Sequence, residues 1–418
     1  MESIKKILSS IFARIEVKHK WQQDFLIEIF ELVFSIQGRV NYTNLARYSK
    51  YNEVTFRRNF KKFFDWLNFN SQIMSLAGVD FDTVIGVIDC SFINKAGKKT
   101  YGLDRFYSGV AGRAKRGLEI STLALIDLAT HKAWTLDVVQ TPAKLAKKEG
   151  KQDEYTRIDF YLEQLQNNLS ALQSVLYFVA DGFYAKTKVF NALCSWNKYL
   201  ITKLRPDANL RYFFKGKHPE GKQGRKSTYG GKVFWKQLDL RRWQSVGYDY
   251  KYNHIKIYTQ ILNSPYYKRD FKVVLLINTR TNKYILLAST DTNLCARLIV
   301  HYYQLRFKIE FLFRDAKQFT GLMHSQARDE KSLHFHFNMS LAAVNLAQLQ
   351  LANADSDSTI HSMNSLVRRA YNTRLVNWLF LQLPQLRKKA KLNVFNPLHP
   401  DSDDKLESVL NFGCLGRA

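Results

Sequence analysis

Cysteine is scarce in this 418-residue chain, and its four copies, Cys90, Cys194, Cys295 and Cys414, form no CxxC pair and match no histidine spacing. That excludes a disulfide framework and a structural zinc site, and it fits a reducing cytoplasm. Long apolar runs are missing too. The nearest, Ser340 to Ala354, is interrupted by Asn345, Gln348, Gln350 and Asn353, and it falls short of the roughly 18 apolar residues that a membrane span needs. The apolar stretch from Ile7 to Ala13 is short, lies between Glu2 and Arg14 and lacks a small-residue cleavage pattern, so no export signal is expected. Acid is in deficit: 36 Asp and Glu against 63 Lys and Arg leave a formal net charge of +27. An excess of that size points to a polyanionic partner, nucleic acid first. Core material, in contrast, is plentiful. With 46% hydrophobic and 14% aromatic residues, wholesale disorder is excluded and two or three domains are expected.

Residues 1–75 read as helical, with apolar positions such as Phe25, Ile29, Phe30, Leu32 and Val33 and no alternation. After Gly38, Asn41 or Thr43 can cap a short helix through Tyr48, and a break at Lys50–Asn52 precedes a second helix from Glu53. That is helix-turn-helix grammar. It predicts that Arg57, Arg58, Lys61 and Lys62 share a solvent-facing side that touches DNA, while Val54, Phe60, Phe63 and Phe64 pack inward. From residue 76 to 204 the pattern becomes strands and then alternating helix and strand. TVIGVIDC, LEISTLALID, the strand after it and SVLYFVAD describe a mixed α/β sheet covered on both faces, in the order of a ribonuclease-H-like fold. Residues 205–285 carry 18 Lys and Arg against 5 Asp and Glu, a net +13. Their alternating segments predict a basic β-rich insertion, whose aromatics among cations suit phosphates and exposed bases. Helices return in 286–345, the remainder of the sheet domain, and in 346–418, whose end, with RKKAKL and then DSDDKLE, reads as a loosely ordered tail.

Asp89 and Asp181 end buried apolar strands, where an ionised carboxylate needs a compensating cation. Hard oxygen ligands of this kind select Mg²⁺ or Mn²⁺. Asp127 also ends an apolar run, but the Thr-His-Lys turn after it explains it as hairpin chemistry. A third acid is expected, because two-metal phosphoryl chemistry holds its ions about 3.5–4 Å apart between several carboxylates. Glu310 is the candidate. It sits in a helix read as Ala296–Phe319, and at about 100° per residue Tyr303, Arg306, Glu310 and Lys317 fall on one narrow face.

The string Tyr303-x2-Arg306-x3-Glu310-x6-Lys317 resembles the Tyr, Arg, Glu, Lys signature of a group of bacterial insertion-sequence transposases of the DDE type. VIDCSFI around Asp89 and FVADGFYAK around Asp181 resemble its first two acidic motifs. The resemblance spans about residues 38–340. It implies that Asp89, Asp181 and Glu310 are the catalytic and metal-binding triad for two Mg²⁺ or Mn²⁺ ions. It further implies that Tyr303, Arg306 and Lys317 hold phosphates at the cut element end. In some relatives a tryptophan stacks on a flipped base. NKYILLAST has Tyr284 at the similar position, with Trp235 and Trp243 in the insertion as further candidates. The implied partners are double-stranded DNA, both terminal inverted repeats and target, and a second protomer in a paired-end complex. The implied location is the bacterial cytoplasm, at the nucleoid. A stand-alone nuclease and an inactive, domesticated DNA-binding protein are the alternative readings of the same fold.

Overall fold

The computed structural model describes residues 4–15, 17, 19–145, 155–216, 225, 227–249, 251–353 and 360–382. The C-terminal tail reading, with RKKAKL and DSDDKLE, lies outside the described residues, as does Cys414.

Five helices open the chain: α1 (Ile4–Phe12), α2 (Lys20–Ser35), α3 (Tyr42–Arg47), α4 (Glu53–Asn59) and α5 (Trp66–Leu76). Asn41 and Asn52 cap α3 and α4, their side chains accepting from the backbone N–H of Asn44 and Thr55. Two short capped helices thus stand where the sequence suggests them, but the expected inward face needs correction. Phe60 and Phe64 are buried, whereas Val54 is 52% and Phe63 87% exposed. Helix α4 stops at Asn59 after two turns, so Lys61 and Lys62 fall in the turn that follows and a helical count no longer places Phe63.

The central sheet is built from β1 (Val84–Ile93), β2 (Asp104–Ser108), β3 (Arg113–Asp127), β4 (Ala133–Gln140), β5 (Tyr177–Ala180) and β6 (Tyr199–Leu204). Strands β1, β3 and β4 pair antiparallel, and β5 and β6 run parallel to β1, giving the order β4-β3-β1-β5-β6. The parallel strands need crossovers, and α6 (Arg157–Asn167) and α7 (Thr187–Ser195) supply them. Alternation along β5 sends Phe178 and Ala180 toward α6 and α7, while Tyr177 meets Tyr302 on the opposite face. This is the ribonuclease-H-like arrangement that the order of elements in the sequence predicts.

The basic segment does not form a sheet of its own. Its strands β7 (Arg211–Phe213), β8 (Tyr229–Lys232), β9 (Gln244–Tyr248), β10 (Ile255–Ser264) and β11 (Arg269–Asn278) join through β12 (Tyr284–Ser289), which pairs antiparallel with β6. The result is one sheet of twelve strands among the described residues.

Four helices follow: α8 (Ala296–Leu305), α9 (Lys308–Phe319), α10 (Glu330–Ala352) and α11 (Met363–Gln382). Helix α10 runs unbroken across position 345, where the sequence suggests a boundary. The amides that interrupt its apolar run bind the sheet. Asn338, Asn345 and Gln348 donate to the carbonyls of Val138, Thr135 and Ala133, and Asn345 accepts from Thr135 N–H. They cover the backbone of β4, an edge strand that would otherwise be open to another chain. Among the described residues no helix is long and apolar enough to cross a membrane.

The core continues from the sheet helices into the N-terminal ones. Phe335 of α10 packs on Phe60 (ring centroids 4.5 Å apart), Trp66 (5.1 Å) and Phe25 (6.3 Å). Beside it His336 is buried, its Nε2–H donating to Gly321 O at 2.9 Å. Burial pushes the imidazole down to about 4, so the folded chain resists a proton that the unfolded chain accepts near 6.5. Stability is therefore complete above about pH 6.5 and drains as the pH falls toward 4, by up to about 3 kcal/mol. In the His336→Gln variant, which cannot titrate, the melting temperature should lose this part of its acid dependence.

Candidate active site

The register of the sheet brings the first two acids together. Val87 and Val179 are paired neighbours on the parallel strands β1 and β5. Asp89 and Asp181 each lie two residues further on, on strands about 4.8 Å apart and on the same face. Asp89 is inside β1, which continues to Ile93, rather than at its end as the apolar run suggests. Asp181 follows the last residue of β5 and caps a short turn, its Oδ1 accepting from Phe183 N–H at 2.8 Å. Thr202 Oγ1 donates to Asp181 O, fastening that turn to β6.

The third acid arrives from the helices over this face. The single helix expected over Ala296–Phe319 is in fact two, α8 and α9, broken at Arg306–Phe307. There the backbone tightens to three-residue bonds, Phe307 N–H to Gln304 O and Glu310 N–H to Phe307 O. The break turns the Arg306 side chain between two carboxylates. Nη1 donates to Asp89 Oδ2 and Nη2 to Glu310 Oε1, both at 3.2 Å. Tyr303 lies 5.8 Å from the guanidinium, ring centroid to carbon. Lys317 is half-buried two turns beyond Glu310, and burial pushes its ammonium below the usual lysine range. Thus Asp89, Arg306, Glu310 and Tyr303 meet, with Asp181 beside Asp89 across the strand pair.

Asp89 is short of positive charge. Burial raises its carboxyl to about 6, against the pull of Arg306, and the charges of Asp181 and Glu310 push the same way as burial. Three carboxylates around one guanidinium leave a net negative cluster of hard oxygens, the donor chemistry of a divalent cation. Among the described residues, no three His, Cys, Asp or Glu side chains already stand as a metal cage. The donor set fits a divalent ion, provided that Arg306 yields its place between Asp89 and Glu310.

A buried polar layer on the other face of β1 escapes the sequence reading. Tyr161 OH donates to Glu119 Oε1 at 2.6 Å, and Cys90 Sγ lies 3.4 Å from Tyr184 OH. Glu119, inside the apolar run GLEISTLALID, was its one visible signal.

The remaining expected residues lie apart from the acids. Tyr284 begins β12 at the same end of the sheet, its hydroxyl donating to Pro206 O and its ring stacked on Trp235 at 6.1 Å. Trp243 is 5% exposed and donates to Tyr212 OH. It is a core residue, closed to a base, which corrects its candidacy. Arg57 lies over the Tyr42 ring and donates to Glu53, and Lys62 lies over Trp21. Arg58 is exposed.

Comparison with protein families decides the assignment. A family model described as DDE superfamily endonuclease matches residues 20–257, more than half of the chain. The chain belongs to the DDE superfamily endonuclease family. No curated protein matches it. The family match takes in Asp89 and Asp181 and ends before Glu310. As a DDE superfamily endonuclease the protein is a nuclease-type enzyme acting on DNA, and nucleases of this superfamily use divalent metals.

Proposed function

We propose that this DDE superfamily endonuclease is a transposase that cuts an insertion sequence at its terminal inverted repeats and joins the 3′ ends to target DNA. The observation that carries the reading is the bridge of Arg306 between Asp89 and Glu310, within the set Tyr303, Arg306, Glu310 and Lys317. Asp89, Asp181 and Glu310 would hold two Mg²⁺ or Mn²⁺ ions. Bound there, such ions polarise the scissile phosphate and its attacking and leaving oxygens. Every other task falls to side chains. Arg306 presents a planar fork that suits a phosphate as well as a carboxylate, and Lys317 offers a point charge with no competing partner among the described residues. Tyr303, packed on Arg306, limits the directions in which that fork can turn. Tyr284 remains the candidate to stack on an unpaired base, with Trp235 behind it. Two element ends imply two protomers.

A strand-transfer assay tests the proposal. With Mg²⁺, a duplex carrying the repeat that flanks the gene, and a supercoiled target, the expected product is the element's 3′ end covalently joined to the target. Cleavage without any joined product would leave a nuclease on the same fold.

A further inference from the structure

We infer that a basic cleft between the N-terminal helices and the sheet carries the DNA backbone toward the acids; the inference rests on the DNA-acting reading above. The cleft, of about 770 Å³, is lined by Arg39, Arg57, Lys61, Lys95 and Arg328, with Asp329 among them. Its cations come from four segments: the approach to α3, α4 with its following turn, the segment after β1, and the loop before α10. The acids nearby are already engaged. Asp329 caps α10 by accepting from Ser332 N–H, and Glu53 accepts from Arg57.

The walls are tied together. Val40 N–H donates to His324 Nδ1, Tyr101 N–H to Arg328 O, and Lys95 Nζ to Ser325 O. Like charges thus converge on a fixed cleft, and the Lys95 ammonium is pushed down by burial and by Arg328. A chain of phosphates relieves that repulsion at several points at once, which a single small anion cannot. Position supports the same occupant. Lys95 lies six residues beyond Asp89, along the course of β1 as far as Ile93. At about 3.3 Å per residue that is on the order of 20 Å, or about six base-pair steps at about 3.4 Å each. A duplex with its scissile phosphate at Asp89 has backbone within reach of the cleft. The division of the cations follows: Arg57 and Lys61 face this cleft, while Lys62 turns away to Trp21.

The test uses the full chain and a fluorescent duplex of about 30 base pairs, with affinity measured by anisotropy across a salt series. Lys61→Glu with Arg328→Glu should weaken binding by one to two orders of magnitude and lower the log–log salt slope by about 2. Lys61→Gln with Arg328→Gln, a gentler change, should give the same direction with a wild-type melting temperature. Lys20→Glu with Lys132→Glu alters net charge equally outside the cleft. If the cleft variants weaken binding no more than this control does, the cleft is overturned, while wild-type binding and cleavage leave the DNA-acting reading standing. If the wild-type protein neither binds nor cuts the duplex, that reading fails and the cleft with it. If calorimetry finds inorganic phosphate bound in the cleft but duplex affinity is unchanged in the variants, the backbone proposal is likewise overturned.

Discussion

Asp89→Asn is expected to lower metal-dependent strand cleavage about a thousandfold while leaving duplex affinity within about twofold. A carboxylate that holds a catalytic ion supports several kcal/mol of transition-state charge stabilisation, and each 1.36 kcal/mol is about tenfold in rate. The substitution is nearly isosteric. An asparagine at 89 keeps an oxygen to accept from Cys90 N–H, as Asp89 Oδ1 does at 2.8 Å. It also removes a buried charge whose carboxyl already sits at about 6, so the fold should tolerate it. Asp181→Asn and Glu310→Gln should fall by similar factors. Asp127→Asn is the informative contrast. Asp127 is a buried acid at the end of β3, but its oxygens accept from Ala129 N–H and Thr130 Oγ1 within the hairpin. Its loss should change stability and leave the cleavage rate per folded molecule alone. An Asp89→Asn enzyme retaining a tenth of the wild-type rate would remove Asp89 from the proposed site. Single-turnover cleavage on one duplex measures all four variants.

The acids were legible for a reason that is local. An ionisable side chain at the end of an apolar β run is visible in one dimension, and parallel register then aligns Asp89 with Asp181 without further information. Asn41 and Asn52 were legible in the same way, since a cap acts on backbone three residues away. Of the Tyr303, Arg306, Glu310 and Lys317 face expected on one helix, the structure brings Tyr303, Arg306 and Glu310 together despite the wrong helix boundary. Tyr303 and Arg306 lie on one side of the break and Glu310 and Lys317 on the other, and each pair keeps helical spacing within its own part. What stayed hidden depends on contacts between distant segments. The exposure of Phe63, the pairing of β12 with β6 that merges the insertion into the main sheet, and the Glu119–Tyr161 bond beneath Asp89 are decided by neighbours 80, 42 or more residues away or by where a helix stops. Arg57 and Lys61 were visible as a basic stretch, but their meeting with Lys95 and Arg328 has no linear pattern.

Arg306→Ala is expected to move the acid limb of the cleavage rate to higher pH and to destabilise the fold more at pH 8 than at pH 5. Arg306 is the cation that holds Asp89 down against burial, with side-chain exposures of 16% and 22% for the pair. An ion must displace the Asp89 proton to bind, so at limiting metal the wild-type rate should rise through about pH 6. Without the guanidinium the carboxyl climbs further and the limb climbs with it. The stability effect has the same origin. Asp89 binds its proton more tightly in the folded chain than in the unfolded one, whose value is near 3.8. Its contribution is most favourable in acid and declines as the pH rises to the folded value, above which it is constant. Raising that value extends the decline, costing about 1.4 kcal/mol for each further unit. The gap in melting temperature between wild type and Arg306→Ala should therefore widen from pH 5 to pH 8. Arg306→Lys, which restores a charge but not a fork able to reach Asp89 and Glu310 together, should recover part of the pH shift and less of the rate. A limb and a melting gap that are both unmoved by pH would mean that Arg306 does not sustain the charge of Asp89. The bridge would then be packing, and the case for this cluster as the reaction centre would lose its electrostatic support.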